Sequence, residues 1–326
     1  MTTETKKEPL RLKELSKRPD RFSYGHRLCA GCGAPIVVKQ VLMATEYPII
    51  ASNATGCLEV SSCIQEYTAW KIPWIHSAFE NSAATISGVE AMYGSLVKQG
   101  KIEDKQVKFV AFGGDGGTYD IGFQSLSGAM ERGHDMMYIC YDNGAYMNTG
   151  IQRSSATPFG ANTTTCPAGD VIPGKQQNRK DLTRIMASHG IPYVAQAAPS
   201  HWSDLIKKVR KAFSIKGPKF MNILAPCNRG WRSKTNDAIA LSRLAVETCY
   251  WPLYEIENGV TKITVKPKEK KPIVDFLKPQ GRFKHMFAPE NEWMLKQAQE
   301  NIDKEWEHLQ KEVAFWAQEK GDKEEK

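Results

Sequence analysis

The sequence predicts an α/β fold, doubly wound around a mainly parallel sheet, and three observations carry that prediction. Residues 107–112 and 136–141 are short apolar runs that stop at glycine or polar residues, as buried parallel strands do. Between them, residues 120–132 place Ile121, Leu126, Ala129 and Met130 at helical spacing and end at Gly133. The same alternation returns at 181–225, as a helix, the strand VAQA, a helix from Trp202 to Phe213 and an apolar run from Phe220 to Ala225. Strand, helix and strand in that order give parallel strands joined by a right-handed crossover.

The elements follow in order. Residues 1–20 are polar and charged and read as an arm. A helix with Val37, Val38, Val41, Leu42 and Ala44 on its apolar stripe follows Ala34-Pro35. Residues 48–52 read as a strand, and 74–100 as a loop leading into a long helix with small residues at Ala83, Ala84, Ser87, Gly88 and Ala91. Residues 151–180, rich in Thr, Pro, Gly and Asn, form a loop long enough to suggest a function, here a cover over the site beside it. From Trp251 the character changes to a β-hairpin turning at Asn258-Gly259, a Lys/Pro linker and an amphipathic helix over 290–318. That helix either folds back on its own domain or clasps another subunit. The expected division is an arm (1–20), a main domain (21–250) and a C-terminal extension (251–326).

Composition narrows the function classes. A chain of 326 residues with 41% apolar content builds one large core. No run of about 18 apolar residues occurs, and the N-terminus has no apolar core of a secretory signal, so a cytoplasmic protein is expected. The net charge is +8, with Lys and Arg scattered except near 262–271. No zinc-finger or RNA-binding aromatic signature accompanies that charge, so it points away from nucleic acid. It suits an acidic protein partner such as a small electron carrier.

The chemistry-bearing residues fall at strand ends. Asp115 follows the first strand of the 107–150 unit and Asn143 follows the second, so both lie at the carboxyl edge where open α/β sheets bind ligands. Strands about 4.8 Å apart let two such oxygens meet one hard cation at about 2.1 Å. Gly113, Gly114, Gly116 and Gly117 strip side chains from around Asp115, leaving backbone to approach a phosphate. The set suits a Mg²⁺–diphosphate, because Mg²⁺ is completed by phosphate and water. Cys29, Cys32 and Cys57 form C-x2-C-x24-C, and Cys227 lies just past another strand. Four thiolates from separate loops fit structural Zn²⁺ or a [4Fe–4S] cluster, and spacing leaves the two open. Eight cysteines in a reducing compartment are not a disulfide framework. Cys63, Cys140, Cys166 and Cys249 read as packing or loop residues, and His76 as a hydrogen-bonded structural histidine.

Gly114-Asp115-Gly116 followed by Asn143 resembles the thiamine diphosphate (TPP) motif. The resemblance implies that Asp115 and Asn143 hold Mg²⁺ by side chain and Ala145 by its backbone carbonyl, with Gly114, Gly116 and Gly117 at the phosphates. Taken together, CAGCGAP, ATGCLEVSS, PWIHSAFENSAA, GGDGGTYDIG, YDNGAYMNTGIQRS and APCNRGW are similar to the β subunits of 2-oxoacid:ferredoxin oxidoreductases, most of all the pyruvate enzymes, over about residues 22–285. That family implies the diphosphate-domain type of the fold. It implies one [4Fe–4S] cluster on Cys29, Cys32, Cys57 and Cys227, with Cys57 also beside the TPP. Asn148 matches the family asparagine beside the reacting carbon. The implied reaction is oxidative decarboxylation of a 2-oxo acid to acyl-CoA with ferredoxin as acceptor. The implied partners are a pyrimidine-binding α subunit, a γ subunit and a ferredoxin-like δ subunit, without which the chain is inactive. CNRGW departs from related chains after the cysteine. Three alternatives stay open: the same complex acting on another 2-oxo acid or oxalate, a non-redox TPP lyase or synthase, and a zinc-stabilised interaction subunit that keeps the thiols but binds no TPP.

Overall fold

The computed structural model describes residues 11–64 and 66–324, so the first half of the expected arm lies outside the described residues. What is described of the arm packs down. Its short helix α1 (Leu12–Leu15) buries Leu15, and Arg18 donates to the Met43 carbonyl at 2.6 Å.

The chain then runs through α2 (Ala34–Leu42), β1 (Ile49–Ala54), α3 (Cys57–Ser62) and a two-residue hairpin pair, β2 (Cys63–Ile64) and β3 (Tyr67–Thr68). Next come β4 (Trp74–Ser77), α4 (Ser82–Lys98), β5 (Lys108–Gly114), α5 (Phe123–Glu131) and β6 (Met136–Asp142). After the long loop follow α6 (Leu182–Ala187), β7 (Tyr193–Ala197), α7 (Trp202–Ser214), β8 (Lys219–Leu224), α8 (Asn228–Trp231) and α9 (Ala238–Glu247). The hairpin β9 (Leu253–Glu257) and β10 (Val260–Val265), then α10 (Ile273–Leu277) and α11 (Glu292–Glu324), complete it.

Eight strands form one sheet in the order β10-β9-β7-β8-β6-β5-β1-β4. All neighbours from β7 to β4 pair parallel, and β9 pairs antiparallel with both β7 and β10. The sheet is doubly wound, as expected. In β6, Met137, Ile139 and Tyr141 join one core layer while Met136, Tyr138 and Cys140 join the opposite one. This is the period of two in a strand covered on both faces, and it explains why the sequence there is continuously apolar. Cys140 is thus a packing residue.

Four details differ from the sequence reading. Residues 74–77, expected within a loop, form the edge strand β4, parallel to β1. The expected 120–132 helix is preceded by a five-residue π-helix, Gly116–Asp120, and α5 itself starts at Phe123. Helix α9, in a segment where the sequence reading places no element, buries Leu241, Ser242, Ala245 and Val246. The hairpin is continuous with the main sheet through β7·β9 pairing. Its turn residues Asn258 and Gly259 both have positive φ, 49° and 82°, as the Asn-Gly hairpin turn requires.

Helix α11 folds back on the chain's own fold. Met294, Ala298 and Ile302 enter the core beneath β9 and α10, and Leu309 enters the layer on the α4 face. Arg184 of α6 pairs with Glu312 at 3.0 Å, and Thr261 of β10 donates to the same carboxylate. Leu309→Ala is expected to destabilise the chain by about 2–5 kcal/mol, the usual cost of truncating a buried leucine, measurable by chemical denaturation.

Candidate active site

Four neighbouring strands deliver the chemistry to one edge. In the order β8, β6, β5, β1 their carboxyl ends lead to Cys227, Asn143, Asp115 and Cys57. Gly114, Asp115, Gly116, Gly117, Asn143, Ala145, Asn148 and Cys57 all line one cleft of about 480 Å³.

Asp115 is 1% exposed. Its carboxylate accepts from the Ser154 hydroxyl and, at 3.3 Å, from the Asn143 backbone N–H. Burial and the nearby Asp142 carboxylate push its pKa well above the usual carboxylate range. One end of the Asn143 side-chain amide lies 2.8 Å from Asp115 Oδ1 and 3.0 Å from the Ala145 carbonyl oxygen. With nitrogen at that end, Asn143 donates to both. With oxygen there, it stands from the Asp115 and Ala145 oxygens at the separation of adjacent corners of an octahedron built on bonds of about 2.1 Å, the Mg²⁺ length. The three donors at 115, 143 and 145 therefore fit a hard divalent cation.

The glycines make room beside them. A Cβ at Gly116 would stand 2.4 Å from the Tyr146 ring, and one at Gly117 would stand 3.1 Å from the Phe79 ring. The π-helix begins here, with Ile121 N–H reaching the Gly116 carbonyl at 3.3 Å. Wide turns of this kind recur at functional sites because they shift backbone groups out of the ordinary helical ladder.

The thiols lie on three segments held together by backbone. Cys32 N–H donates to the Cys29 carbonyl (3.0 Å), and Gly33 N–H to the Pro226 carbonyl (2.9 Å), next to Cys227. A Cβ at Gly33 would meet the Pro226 nitrogen at 2.7 Å, so the C-x2-C loop lies directly on the Cys227 loop. Cys227 Sγ accepts the Gly230 N–H at 3.4 Å. Burial pushes Cys57 up to about 12, and Cys227, Cys32 and Cys29 add to the rise. Burial likewise pushes Cys32 up to about 12, with Cys227 and Cys29 contributing. The four thiols thus share one electrostatic neighbourhood. Among the described residues no three His, Cys, Asp or Glu side chains are close enough to hold a single metal ion.

The long loop folds against this edge and contributes Ser154, the last residue of the YDNGAYMNTGIQRS stretch, and Arg179, which no motif announces. Ser154 reaches Asp115, and Arg179 pairs with Asp142 while donating to Tyr119 Oη at 2.7 Å. His76 bonds Thr55 Oγ1 at 2.7 Å and faces Glu59.

Known proteins match this arrangement. The model of the thiamine pyrophosphate enzyme C-terminal TPP-binding domain matches residues 54–223. Pyruvate synthase subunit PorB of Thermotoga maritima is 50% identical over 92% of this chain and 96% of its own length. The chain belongs to the PorB family of 2-oxoacid:ferredoxin oxidoreductase β subunits. A second PorB, from Methanocaldococcus jannaschii, is 57% identical over 82% of this chain and 91% of its own length. Ketoisovalerate oxidoreductase subunit VorB of Pyrococcus abyssi is 45% identical over 90% and 93%. The PorB-type chain is an oxidoreductase subunit with a TPP-binding domain, one part of a multi-subunit enzyme. No described helix is long and apolar enough to cross a membrane.

Proposed function

We propose that this chain holds TPP through Mg²⁺, carries one [4Fe–4S] cluster, and oxidatively decarboxylates pyruvate to an acyl-CoA and CO₂, reversibly, with ferredoxin as acceptor. The observation that carries the reading is that adjacent strand ends bring convergent oxygens at 115, 143 and 145 beside Cys57 and Cys227, with the Cys29–Cys32 loop packed on the Cys227 loop. Asp115 and Asn143 side chains and the Ala145 carbonyl would hold Mg²⁺, and the bare backbone at Gly114, Gly116 and Gly117 would admit the diphosphate. Cys29, Cys32, Cys57 and Cys227 would ligate the cluster. In a cubane each thiolate binds its own iron, so the sulfurs stand wider apart than around one ion, consistent with a shared neighbourhood lacking a single-ion cage.

Bound there, TPP supplies the electron sink for decarboxylation and the cluster a one-electron acceptor. The chain's own residues do the positioning. Asn148, on the cleft wall, orients the substrate side, and Cys57 lies on the wall shared by the cleft and the thiols. Phe79, Tyr146 and Met147 line the cleft and would give the bound coenzyme apolar walls. A pyrimidine-binding α subunit would supply the carboxylate that activates the TPP ring, with γ and ferredoxin-like δ subunits completing a cytoplasmic complex.

The VorB relative favours a second reading in which a branched-chain 2-oxo acid is the substrate. The purified native complex decides. Expected are absorbance near 400 nm that dithionite bleaches and a ferredoxin-reduction rate highest with pyruvate among a panel of 2-oxo acids. A colourless complex overturns the redox reading, and a higher rate with 2-oxoisovalerate overturns the choice of substrate.

A further inference from the structure

Arg282 is a buried cation without a carboxylate partner. Its side chain is 2% exposed, yet none of the ion pairs among the described residues includes it. Nε donates to Gln280 Oε1 at 2.9 Å, and the guanidinium carbon lies 4.4 Å from the Trp231 ring centroid and 4.9 Å from that of Phe283. The backbone pins it further. Its carbonyl accepts the Asn162 N–H at 2.9 Å, and Gly281 N–H reaches the Arg232 carbonyl at 3.2 Å. A desolvated charge held this rigidly is expensive unless an anion answers it.

The neighbours say where that anion would be. Trp231, on which the guanidinium stacks, closes the helix that Cys227 opens, and its N–H donates to the Cys227 carbonyl at 2.8 Å. The Trp231 indole N–H donates to the Asn143 carbonyl at 2.7 Å. Arg282 Nη1 lies 3.1 Å from where a Cβ at Gly144 would stand. The cation therefore sits between the Cys227 loop and the 143–145 turn. Burial lowers its pKa to about 10, and the facing Tyr250, Cys227, Asp142 and Asp115 work against that fall. Asp142 already has Arg179, and a cation at 115 and 143 would repel a guanidinium. Of the groups facing the guanidinium, Cys227 is joined to it through Trp231, and as a cluster ligand it would be a thiolate with no other cation paired to it among the described residues.

We propose that Arg282 is the positioning cation of the iron–sulfur cluster, a fixed positive charge that favours its reduced form and raises its reduction potential. The inference rests on the cluster assignment above. Reduction adds one electron and one negative charge to the cluster, and Arg282 keeps its proton throughout. An arginine suits the place because it stays charged where a buried lysine would titrate. Net charge near a cluster is one of the levers that sets its potential.

The test uses the assembled complex, following by EPR-monitored redox titration the signal that Cys227→Ser removes. In Arg282→Gln, the ratio of reduced to oxidised cluster at the wild-type midpoint is expected to fall about tenfold, a shift of about 59 mV for one electron. Arg282→Lys is expected to stay near wild type at neutral pH, with a midpoint that falls as pH rises and the lysine loses its charge. Should Arg282→Gln fail to assemble, the lysine variant decides alone: a steeper fall with pH than wild type supports the proposal, and parallel profiles overturn it. An unmoved midpoint in Arg282→Gln overturns it, and so does an unmoved midpoint with weakened TPP binding, which would assign the cation to the diphosphate. Equal losses in both variants at every pH would make the role one of packing. A wild-type complex with no Cys227-dependent signal would overturn the cluster assignment itself, a separate failure.

Discussion

Asp115→Ala is expected to lower 2-oxo acid oxidation by the assembled complex on the order of 10²–10⁴-fold, the scale of about 3–5 kcal/mol for removing one partner of a buried charged contact. Bound TPP should fall with it, while iron content stays at the wild-type level. Ser154 and the Asn143 N–H both lose their acceptor in this variant, so folding is checked by circular dichroism alongside. The carboxylate also predicts a pH effect. In the cofactor-free chain burial beside Asp142 keeps Asp115 protonated well above the usual carboxylate range, so a bound cation must displace that proton. Apparent Mg²⁺–TPP affinity should therefore rise with pH. The sign for stability is the reverse. A carboxyl with a raised folded-state pKa contributes stability below its unfolded pKa and loses it as pH rises through the folded one. Cofactor-free Asp115→Asn should thus be the more stable protein at neutral pH, with the gap closing in acid. Unchanged turnover in Asp115→Ala would remove the metal clamp from the proposed site.

Cys57→Ser is expected to show the complementary pattern. The complex should lose absorbance near 400 nm and about four iron atoms per chain, with ferredoxin reduction at background, yet retain TPP. Cys57 is the decisive thiol because it lines the cofactor cleft as well as facing the other three. Full iron content with full electron transfer in this variant would remove it from the ligand set. Loss of TPP together with iron would mean that the cleft and the cage do not form independently.

The sheet and the residues at its carboxyl edge were legible because Asp115, Asn143, Cys57 and Cys227 each follow an apolar run. Asp115 stands one residue past β5, Asn143 one past β6 and Cys227 three past β8. What stayed hidden has physical reasons. Edge strand β4 has half-buried Trp74, exposed Ile75 and His76, and buried Ser77, so no alternation marks it. The π-helix differs from an α-helix in hydrogen-bond register, which hydrophobic spacing does not encode. Arg179 and Arg282 carry no local motif, and the motif that ends at Ser154 does not say what its hydroxyl meets, since all three partners are assembled by tertiary folding: Asp115 for Ser154, Asp142 for Arg179, and Trp231 for Arg282. The fold-back of α11 was one of two expected outcomes, and the burial of Met294, Ala298, Ile302 and Leu309 selects it.

The amide of Asn143 carries one more consequence. With its nitrogen inward it ties the 115 carboxylate to the 145 carbonyl, and with its oxygen inward it would offer a bound cation a third ligand at the same spot. A half turn about a single side-chain bond would then separate the resting protein from the charged one.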